Sequence, residues 1–190
     1  CNCVRDSAPF TDNWKEGTDC CAWDGVTCDN TTSHVIGLDL DCNCLYGTIH
    51  PNSSLFSLVH LQHLALSFNN FNHSQILPSF GCFTNLTHLA LSGSHLSGPI
   101  QSSEEEEVWQ GNNFSTSNFH LQKLQALRLG GHRELTGKLP SFINGTLRHL
   151  RHLRSLDLSE IDFTGELPNS IGQLEYLEGL RRCDCNLFGT

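Results

Sequence analysis

Hydrophobic residues recur in a fixed pattern along this chain from Val35 onward. Each unit has an apolar residue, then Leu-x-Leu or its remnant three residues later, and a polar turn; in five of the six units a second apolar residue follows, two places ahead of a Gly. The Leu-x-Leu positions of the six units are Leu38/Leu40, Leu64/Leu66, Leu89/Leu91, Leu127/Leu129, Leu156/Leu158 and Leu180/Arg182. Because alternate side chains of a strand share a face, each pair predicts a short strand with its leucines inward and the residues between them outward.

The spacing of the units identifies the architecture. Successive units are 26, 25, 38, 29 and 24 residues apart, and a period near 25 residues is typical of leucine-rich repeats, with one strand and one return segment per turn. A single turn cannot bury its own apolar face, so the turns must stack. The pattern therefore predicts an α/β solenoid of about six repeats over 35–190, with an incomplete last repeat, no C-terminal cap and a broad exposed surface.

The turn after each strand has its own pattern. Asn43 and Asn69 follow the first two intact pairs, where an amide can bond to backbone groups left open at the strand end. The equivalent positions in later repeats are Ser94, His132, Ile161 and Cys185. The asparagine ladder is thus expected to be incomplete, with weaker local order there. The Gly and Pro residues farther on predict a second short extended segment per turn.

The 38-residue step contains about thirteen additional residues, which fall in 101–120. Four consecutive glutamates are followed by Ser, Thr and Asn, which predicts a solvated acidic surface loop. The alternative is an acidic patch that engages a basic ligand, with Trp109 as its anchor.

Residues 1–34 lack the repeat and contain half of the ten cysteines. We interpret them as an N-terminal cap in which Trp14 and Trp23 shield the apolar end of the first turn. A disulfide between adjacent Cys20 and Cys21 would be strained. Cys21 is expected to pair with Cys28 around Trp23, and Cys20 with an upstream cysteine, Cys1 or Cys3. The pairing of the remaining cysteines stays open: Cys42, Cys44, Cys82, Cys183 and Cys185.

The cysteines occur together with six Asn-x-Ser/Thr sequons, and this combination predicts a secreted or cell-surface protein. The candidate glycosylation sites are Asn30, Asn52, Asn72, Asn85, Asn113 and Asn144. A formal charge of −9, from 20 acidic and 11 basic residues, argues against nucleic acid or an anionic membrane as a partner. The chain starts at Cys1 without a signal peptide, so a processed or partial product is expected.

The sequence offers little for catalysis or metal binding. The pairs His60/His63 and His149/His152 stand at spacer positions of separate repeats and lack the H-E-x-x-H arrangement, which favours solvated spacers over metal ligands. Several histidines together could still make binding pH-dependent. Zinc at the cap cysteines is a disfavoured alternative in an extracellular setting. No nucleophile elbow, phosphate-binding loop or dinucleotide fingerprint occurs. We therefore predict a protein that is not an enzyme and has no cofactor or metal.

A solenoid binds ligands where strand side chains point outward, and most outward residues here are small. The candidate ligand contacts on this concave face are His63, His88, Arg128, Asp157 and Arg181. Binding hot spots favour Trp, Tyr and Arg, and only two of these residues are of that kind. This part of the solenoid is therefore expected to be scaffold more than principal ligand site.

The cap "WKEGTDCCAWDGVTCD", the repeat "HVIGLDLDCNCLYGTIHPNSSLF" and the later "LRSLDLSEIDFTGELPNSIGQL" resemble plant leucine-rich-repeat receptor-like proteins of the Cf-type disease-resistance group. The resemblance covers nearly the whole chain and implies the plant-specific, right-handed superhelix with a disulfide-bonded cap. Cys21 and Cys28 match the family's second cap disulfide, and Cys20 matches the cysteine that pairs upstream. Three features depart from the family: the cap helix is lacking, Arg182 replaces an inward leucine, and the chain stops at Gly189-Thr190 where Ile-Pro is expected to follow.

The resemblance implies the N-terminal part of the extracellular domain of a cell-surface receptor. Such a domain would lie on the apoplastic face of the plasma membrane, in a parent protein with one membrane anchor. It would bind a microbial or endogenous peptide or protein and signal through a co-receptor kinase, with no direct membrane contact of this chain. Two alternatives stay open: a secreted protein similar to polygalacturonase inhibitors, and a truncated gene product without independent function.

Overall fold

A computed structural model of the chain describes residues 10–99, 121–138, 150–166 and 169–182. Short strands and 3₁₀ helices make up its regular structure. The strands are β1 (Val26–Cys28), β2 (Val35–Asp39), β3 (His63–Ala65), β4 (His88–Ala90), β5 (Gly98–Pro99), β6 (Ala126–Arg128), β7 (Leu135–Lys138), β8 (Ser155–Leu158), β9 (Asp162–Thr164) and β10 (Gly179–Arg182). The 3₁₀ helices are Phe10–Asn13, Cys20–Ala22, Ser54–Ser57, Pro78–Cys82 and Asn169–Gln173.

One large sheet contains the strands of the predicted repeats, in the order β1-β2-β3-β4-β6-β8-β10. Strand β1 is antiparallel to β2, and the other pairs are parallel. The register aligns the first leucine of every predicted pair, from Leu38 to Leu180. The insertion 101–120 lies outside the described residues, but β4 and β6, on either side of it, are neighbours. The predicted leucine-rich-repeat solenoid is confirmed.

The paired leucines form the core because every strand turns them to the same side. Those in the first position of the middle strands are at most 2% exposed: Leu64, Leu89, Leu127 and Leu156. A second row, from the position three residues earlier, is completely buried: Leu61, Leu86, Leu124 and Leu153. Phe56 packs against Phe80 and Phe83, with ring centroids 5.4 and 5.7 Å away. At the last pair Arg182 is in register with Leu158, so an arginine occupies the position of a core leucine, as the sequence indicated.

The second extended segment is also present in the first five turns. Strands β5, β7 and β9 form a three-stranded parallel sheet, and an isolated bridge joins Tyr46 to Asn70 in the earlier turns. Between the two sheets, the described return segments contain 3₁₀ helices and no α-helix. The helical part of the predicted α/β solenoid is thus reduced to short 3₁₀ turns.

A residue with left-handed backbone follows each of the first five Leu-x-Leu pairs at the same place. It lies four residues after the first leucine, with φ between 55° and 82°, at Cys42, Phe68, Gly93, Gly131 and Glu160. The first four donate their amides to a carbonyl of the next turn, at distances of 2.7 to 2.9 Å. The bend is therefore a repeated part of the stacking and not a local irregularity.

The cap is attached to the first turn through β1. Gly25, with φ +78°, accepts the Asp39 amide at 2.7 Å, and a Cβ at Gly25 would lie 2.2 Å from the Asp39 carbonyl oxygen. Only glycine fits there. Trp14 and Trp23 stack with ring centroids 5.0 Å apart, and with first-turn leucines they line an apolar cavity of about 450 Å³. They cover the end of the core, as predicted.

The cysteines of the cap agree with the prediction in part. Cys21 and Cys28 form a disulfide with Cα atoms 5.5 Å apart, which confirms the loop around Trp23. The upstream pairing expected for Cys20 is not met, because its thiol is free and faces the apolar cavity beneath the tryptophans. Of the cysteines left open, Cys42 and Cys44 are disulfide-bonded and Cys82 is free and exposed, whereas Cys183 and Cys185 lie outside the described residues.

Candidate ligand-binding face

Three rows of side chains cross the exposed face of the large sheet, which is the concave face of a solenoid of this kind. Strand register and the hydrogen bonds beyond the strands place one residue of each turn in each row. The upper row is Gly37, His63, His88, Ala126, Ser155 and Gly179. The middle row is Asp39, Ala65, Ala90, Arg128, Asp157 and Arg181. The lower row is Asp41, Ser67, Ser92, Gly130 and Ser159.

A groove of about 540 Å³, here called the strand groove, lies over β2, β3, β4 and β6. The stacked imidazoles of His63 and His88, with centroids 4.5 Å apart, line its upper side. Ala65 and Ala90 form its floor, because their short side chains lie between charged neighbours in the middle row. Arg128 stands at one end. The structure thus brings together three of the five predicted contacts.

Two carboxylates that were not among the candidates, Asp39 and Asp41, line the opposite end of the strand groove. Strand alternation already placed both side chains outward. Their place in the groove follows from the pairing of β2 with β3, which sets Asp39 beside Ala65. A sequence signal for them existed, namely outward acidic residues on the first repeat strand, but it acquires meaning only once that strand is aligned with the next.

The groups that line the groove influence one another. Burial raises the pKa of Asp41 above its ordinary value, although the hydrogen bond from the Ser67 amide and the Arg128 cation both act to lower it. Burial lowers the pKa of His88, and the neighbouring His63 and Arg128 lower it further. The groove therefore has an acidic end, a neutral small-residue floor with imidazoles beside it, and a cationic end.

The other two predicted contacts, Asp157 and Arg181, continue the middle row beyond Arg128 and do not line the strand groove. One carboxylate oxygen of Asp157 accepts the amide and the hydroxyl of Ser159, at 3.1 and 2.7 Å. Gly130 leaves room for this pair, since a Cβ there would lie 2.5 Å from the Ser159 hydroxyl oxygen. These contacts fix the Asp157 carboxylate in place beside Arg128.

Different side chains form the polar ladder beneath this face in different turns. The amide of Asn69 donates to the Leu66 carbonyl at 2.9 Å and accepts the Leu45 amide at 2.9 Å. At two of the four positions without asparagine another side chain bonds a carbonyl: the Ser94 hydroxyl donates to the Leu66 carbonyl at 2.8 Å, and His132 bonds the Leu129 carbonyl at 2.8 Å. Both substitutes are at most 2% exposed. Ser94 and His132 thus supply hydrogen bonds where asparagine is missing, whereas Ile161 has no polar group to do so and Cys185 lies outside the described residues.

The four sequons within the described residues lie away from the strand groove. Asn30, Asn52 and Asn72 are exposed, and Asn85 is half-buried, with its side-chain oxygen accepting from Lys123 at 2.8 Å. None of these four lies on a strand of the large sheet. Asn113 and Asn144 lie outside the described residues. Glycans on the four described sites would therefore be attached away from the strand residues of the concave face; their occupancy stays a prediction.

Three cysteines of the described part of the cap lie close together. The sulfur atoms of Cys20, Cys21 and Cys28 lie within 4.8 Å of one another. The disulfide between the last two leaves a single thiol, whereas a structural zinc site needs about four ligands.

No helix within the described ranges is long and apolar enough to cross a membrane.

Comparison with known proteins agrees with the fold. Residues 2–29 match the family model of the leucine rich repeat N-terminal domain, and residues 60–83 and 152–174 match that of the leucine rich repeat. Among solved structures, a plant ice-binding protein superposes with a TM-score of 0.70 at 30% identity, over 87% of this chain and 47% of that one. The ectodomain of the Arabidopsis thaliana receptor kinase GASSHO1, in complex with Casparian strip integrity factor 2, superposes with a TM-score of 0.64 at 24% identity. The match covers 94% of this chain and 22% of that one.

The curated relatives of this chain include plant receptor-like proteins. Receptor-like protein 6 of Arabidopsis thaliana is 37% identical over 188 residues, which are 96% of this chain and 18% of the relative. Receptor-like protein Cf-9 of Solanum pimpinellifolium is 43% identical over 164 residues, 86% of this chain and 17% of the relative. The chain thus spans less than a fifth of the length of either relative. It belongs to the leucine-rich-repeat proteins, in the group whose curated members are plant receptor-like proteins such as Cf-9.

Proposed function

We propose that this chain is an extracellular ligand-recognition segment of a plant cell-surface receptor-like protein, acting in defence signalling. In this proposal it binds a peptide or protein ligand on its concave face and catalyses no reaction. The parent protein is anchored in the plasma membrane with this segment in the apoplast, and it signals together with a co-receptor kinase.

The strand groove is the observation that carries the proposal. It combines the opposed charges of Asp39 and Arg128 with a floor of alanines that leaves the backbone face accessible. Ligand sites generally combine such concave surface with a few well-placed polar groups. The described sequons lie off the strands that form it, so glycans on those four sites would leave the groove open to a partner.

The relatives support the same class of function. Receptor-like proteins are the curated matches, and the GASSHO1 ectodomain, whose likeness shows the fold alone, is itself in a complex with Casparian strip integrity factor 2. A solenoid presents an extended concave surface without any need for a catalytic constellation. Binding is thus the activity that fold, groove and relatives have in common.

Filling the groove tests the proposal. A dodecapeptide phage library is selected on the secreted chain, and enriched peptides are then measured against two variants. Ala90→Trp places an indole on the groove floor, whereas Thr84→Trp, the matched control, places one on an exposed loop. Circular dichroism confirms that both variants fold.

We expect enriched peptides to bind wild type and Thr84→Trp alike and to lose at least about tenfold in affinity on Ala90→Trp, as for a blocked hot spot. A selection that enriches no peptide, or peptides that bind Ala90→Trp as well as wild type, would show that the groove is not a recognition site.

A further inference from the structure

The strand groove contains a charge pattern that specifies its ligand. In the middle row Asp39, Ala65, Ala90 and Arg128 follow one another in register on four adjacent strands. Neighbouring strands are about 4.8 Å apart, so the acidic and the basic position are about 14 Å apart across the sheet. Two alanines separate them, and no side chain longer than a methyl group rises from the row between the two charges.

Neither charge is neutralised within the described ranges. The ion pairs found there join His73 to Glu134 and Arg154 to Glu178, all away from the groove. Asp157 lies beside Arg128 in register without an ion pair to it, and one of its oxygens accepts from Ser159, as one oxygen of Asp39 accepts the Asp41 amide at 3.2 Å. An exposed acid and an exposed base facing one groove therefore present complementary ends to a ligand that has both charges.

We propose that the strand groove binds an extended peptide segment of a protein ligand, running across the strands, with a Lys or Arg against Asp39 and a Glu or Asp four residues away against Arg128. An extended chain rises about 3.4 Å per residue, so four residues span about 14 Å, which is the separation of the two charges. This inference rests on the proposed function and adds the chemistry of the ligand.

The parity of the spacing supports four residues over three or five. Alternate side chains of an extended segment share a face, so residues i, i+2 and i+4 all face the groove floor. The central side chain then lies over Ala65 and Ala90, where the short floor residues leave room for it. A uniformly acidic or uniformly basic segment would set a like charge against one end of the groove, so a ligand of mixed charge is favoured.

The probe is the synthetic heptapeptide acetyl-Gly-Lys-Thr-Val-Thr-Glu-Gly-amide, in which the charges are four residues apart. Two matched probes test the pattern: one has Gln in place of Glu, and the other exchanges the last Thr and Glu so that the charges are three residues apart. Affinities for the secreted chain are measured by NMR titration. The protein variants are Arg128→Gln and, as an exposed charge-loss control away from the groove, Arg151→Gln.

We expect the matched probe to bind about 3- to 10-fold more tightly than either altered probe, the range of a partly desolvated ion pair. On Arg128→Gln the difference between the Glu and Gln probes should vanish, whereas on Arg151→Gln it should persist. Such non-additivity identifies a direct contact.

Equal affinity of the three probes, absence of measurable binding, or an undiminished Glu preference on Arg128→Gln would overturn this inference. If library peptides nevertheless bind the open groove and not Ala90→Trp, the proposed function stands and only the charge pattern is wrong. If no peptide of either kind depends on the groove, both fail.

Discussion

His132 shows how one side chain can replace another in a repeated structural role. Its Nδ1 donates to the Leu129 carbonyl three residues earlier, as the Asn69 amide does to Leu66. Its Nε2 accepts the Ser94 amide at 3.1 Å. Only a neutral ring with its proton on Nδ1 can do both, since a second proton would face the Ser94 N–H. The tautomer is thus determined by the two partners.

This requirement predicts that the protein loses stability as pH falls from 7.5 to 5.5. Burial lowers the pKa of His132 below its ordinary value of 6.5, so in the window beneath that value the unfolded chain binds a proton that the folded chain does not. The contribution is complete above the unfolded pKa and is lost as pH falls toward the folded one. The lowered pKa of His88 acts in the same direction. Urea denaturation at both pH values measures the change.

The variant His132→Asn assigns the effect. Asparagine retains a donor for the Leu129 carbonyl and cannot titrate, so the pH slope should decrease relative to wild type. His152→Asn, at an exposed position, serves as the matched control and should retain the wild-type slope. An unchanged slope in His132→Asn would mean that the loss at low pH arises at other groups.

At the scale of elements, the left-handed bend after a Leu-x-Leu pair can be tested with two opposite substitutions, one that introduces glycine and one that removes it. Non-glycine residues are disfavoured there by about 1–2 kcal/mol, yet Glu160 occupies the bend with φ +55° and an exposed side chain. Glu160→Gly should stabilise the fold by up to about 1 kcal/mol, because relief of strain exceeds the entropy cost of glycine. Gly131→Ala should destabilise it by about 1–2 kcal/mol at the same register.

Urea titration of both variants tests this expectation, with Glu160→Ala as the control that removes the charge and keeps the strain. Equal effects of Glu160→Gly and Glu160→Ala would assign the change to charge and not to the backbone. A stabilising Gly131→Ala would contradict the interpretation outright, since its new Cβ would also approach the Gly93 amide nitrogen to 3.1 Å.

The strands and their alignment could be predicted from sequence because they depend on a local period. Leu38 and Leu64 share a face and a row for the same reason, alternation within a strand and equal spacing between turns. The role of His132 could not be predicted from sequence. The polar ladder needs only a donor within reach of a carbonyl, and side chains of different shape can supply that donor. His63, His88 and Arg128 were found by alternation alone. The place of Asp39 in the strand groove could not be predicted in this way, because it depends on which residue of the next strand lies beside Asp39.

At the scale of the whole molecule, stability is distributed turn by turn. Each strand of the large sheet is hydrogen-bonded to its immediate neighbours in the sheet order, so the solenoid behaves as a linear array of coupled units. The interior leucines are nearly inaccessible, whereas Leu180 of β10 is only half-buried. Equivalent positions in the repeat therefore need not contribute equally to the free energy of unfolding.

A comparison of Leu89→Ala with Leu180→Ala makes this quantitative. Leu89 is 2% exposed and lies in register between Leu64 and Leu127, so its truncation leaves a cavity between two turns and should cost about 3–5 kcal/mol. Truncation of half-buried Leu180 removes less apolar contact and should cost about 1 kcal/mol. Hydrogen exchange should show reduced protection of β3, β4 and β6 in the first variant and of β10 in the second. In a nearest-neighbour array a defect weakens the turns adjacent to it first. Equal losses in the free energy of unfolding for the two variants, or loss of protection in β3 on Leu180→Ala, would therefore show that the described turns unfold as one indivisible unit.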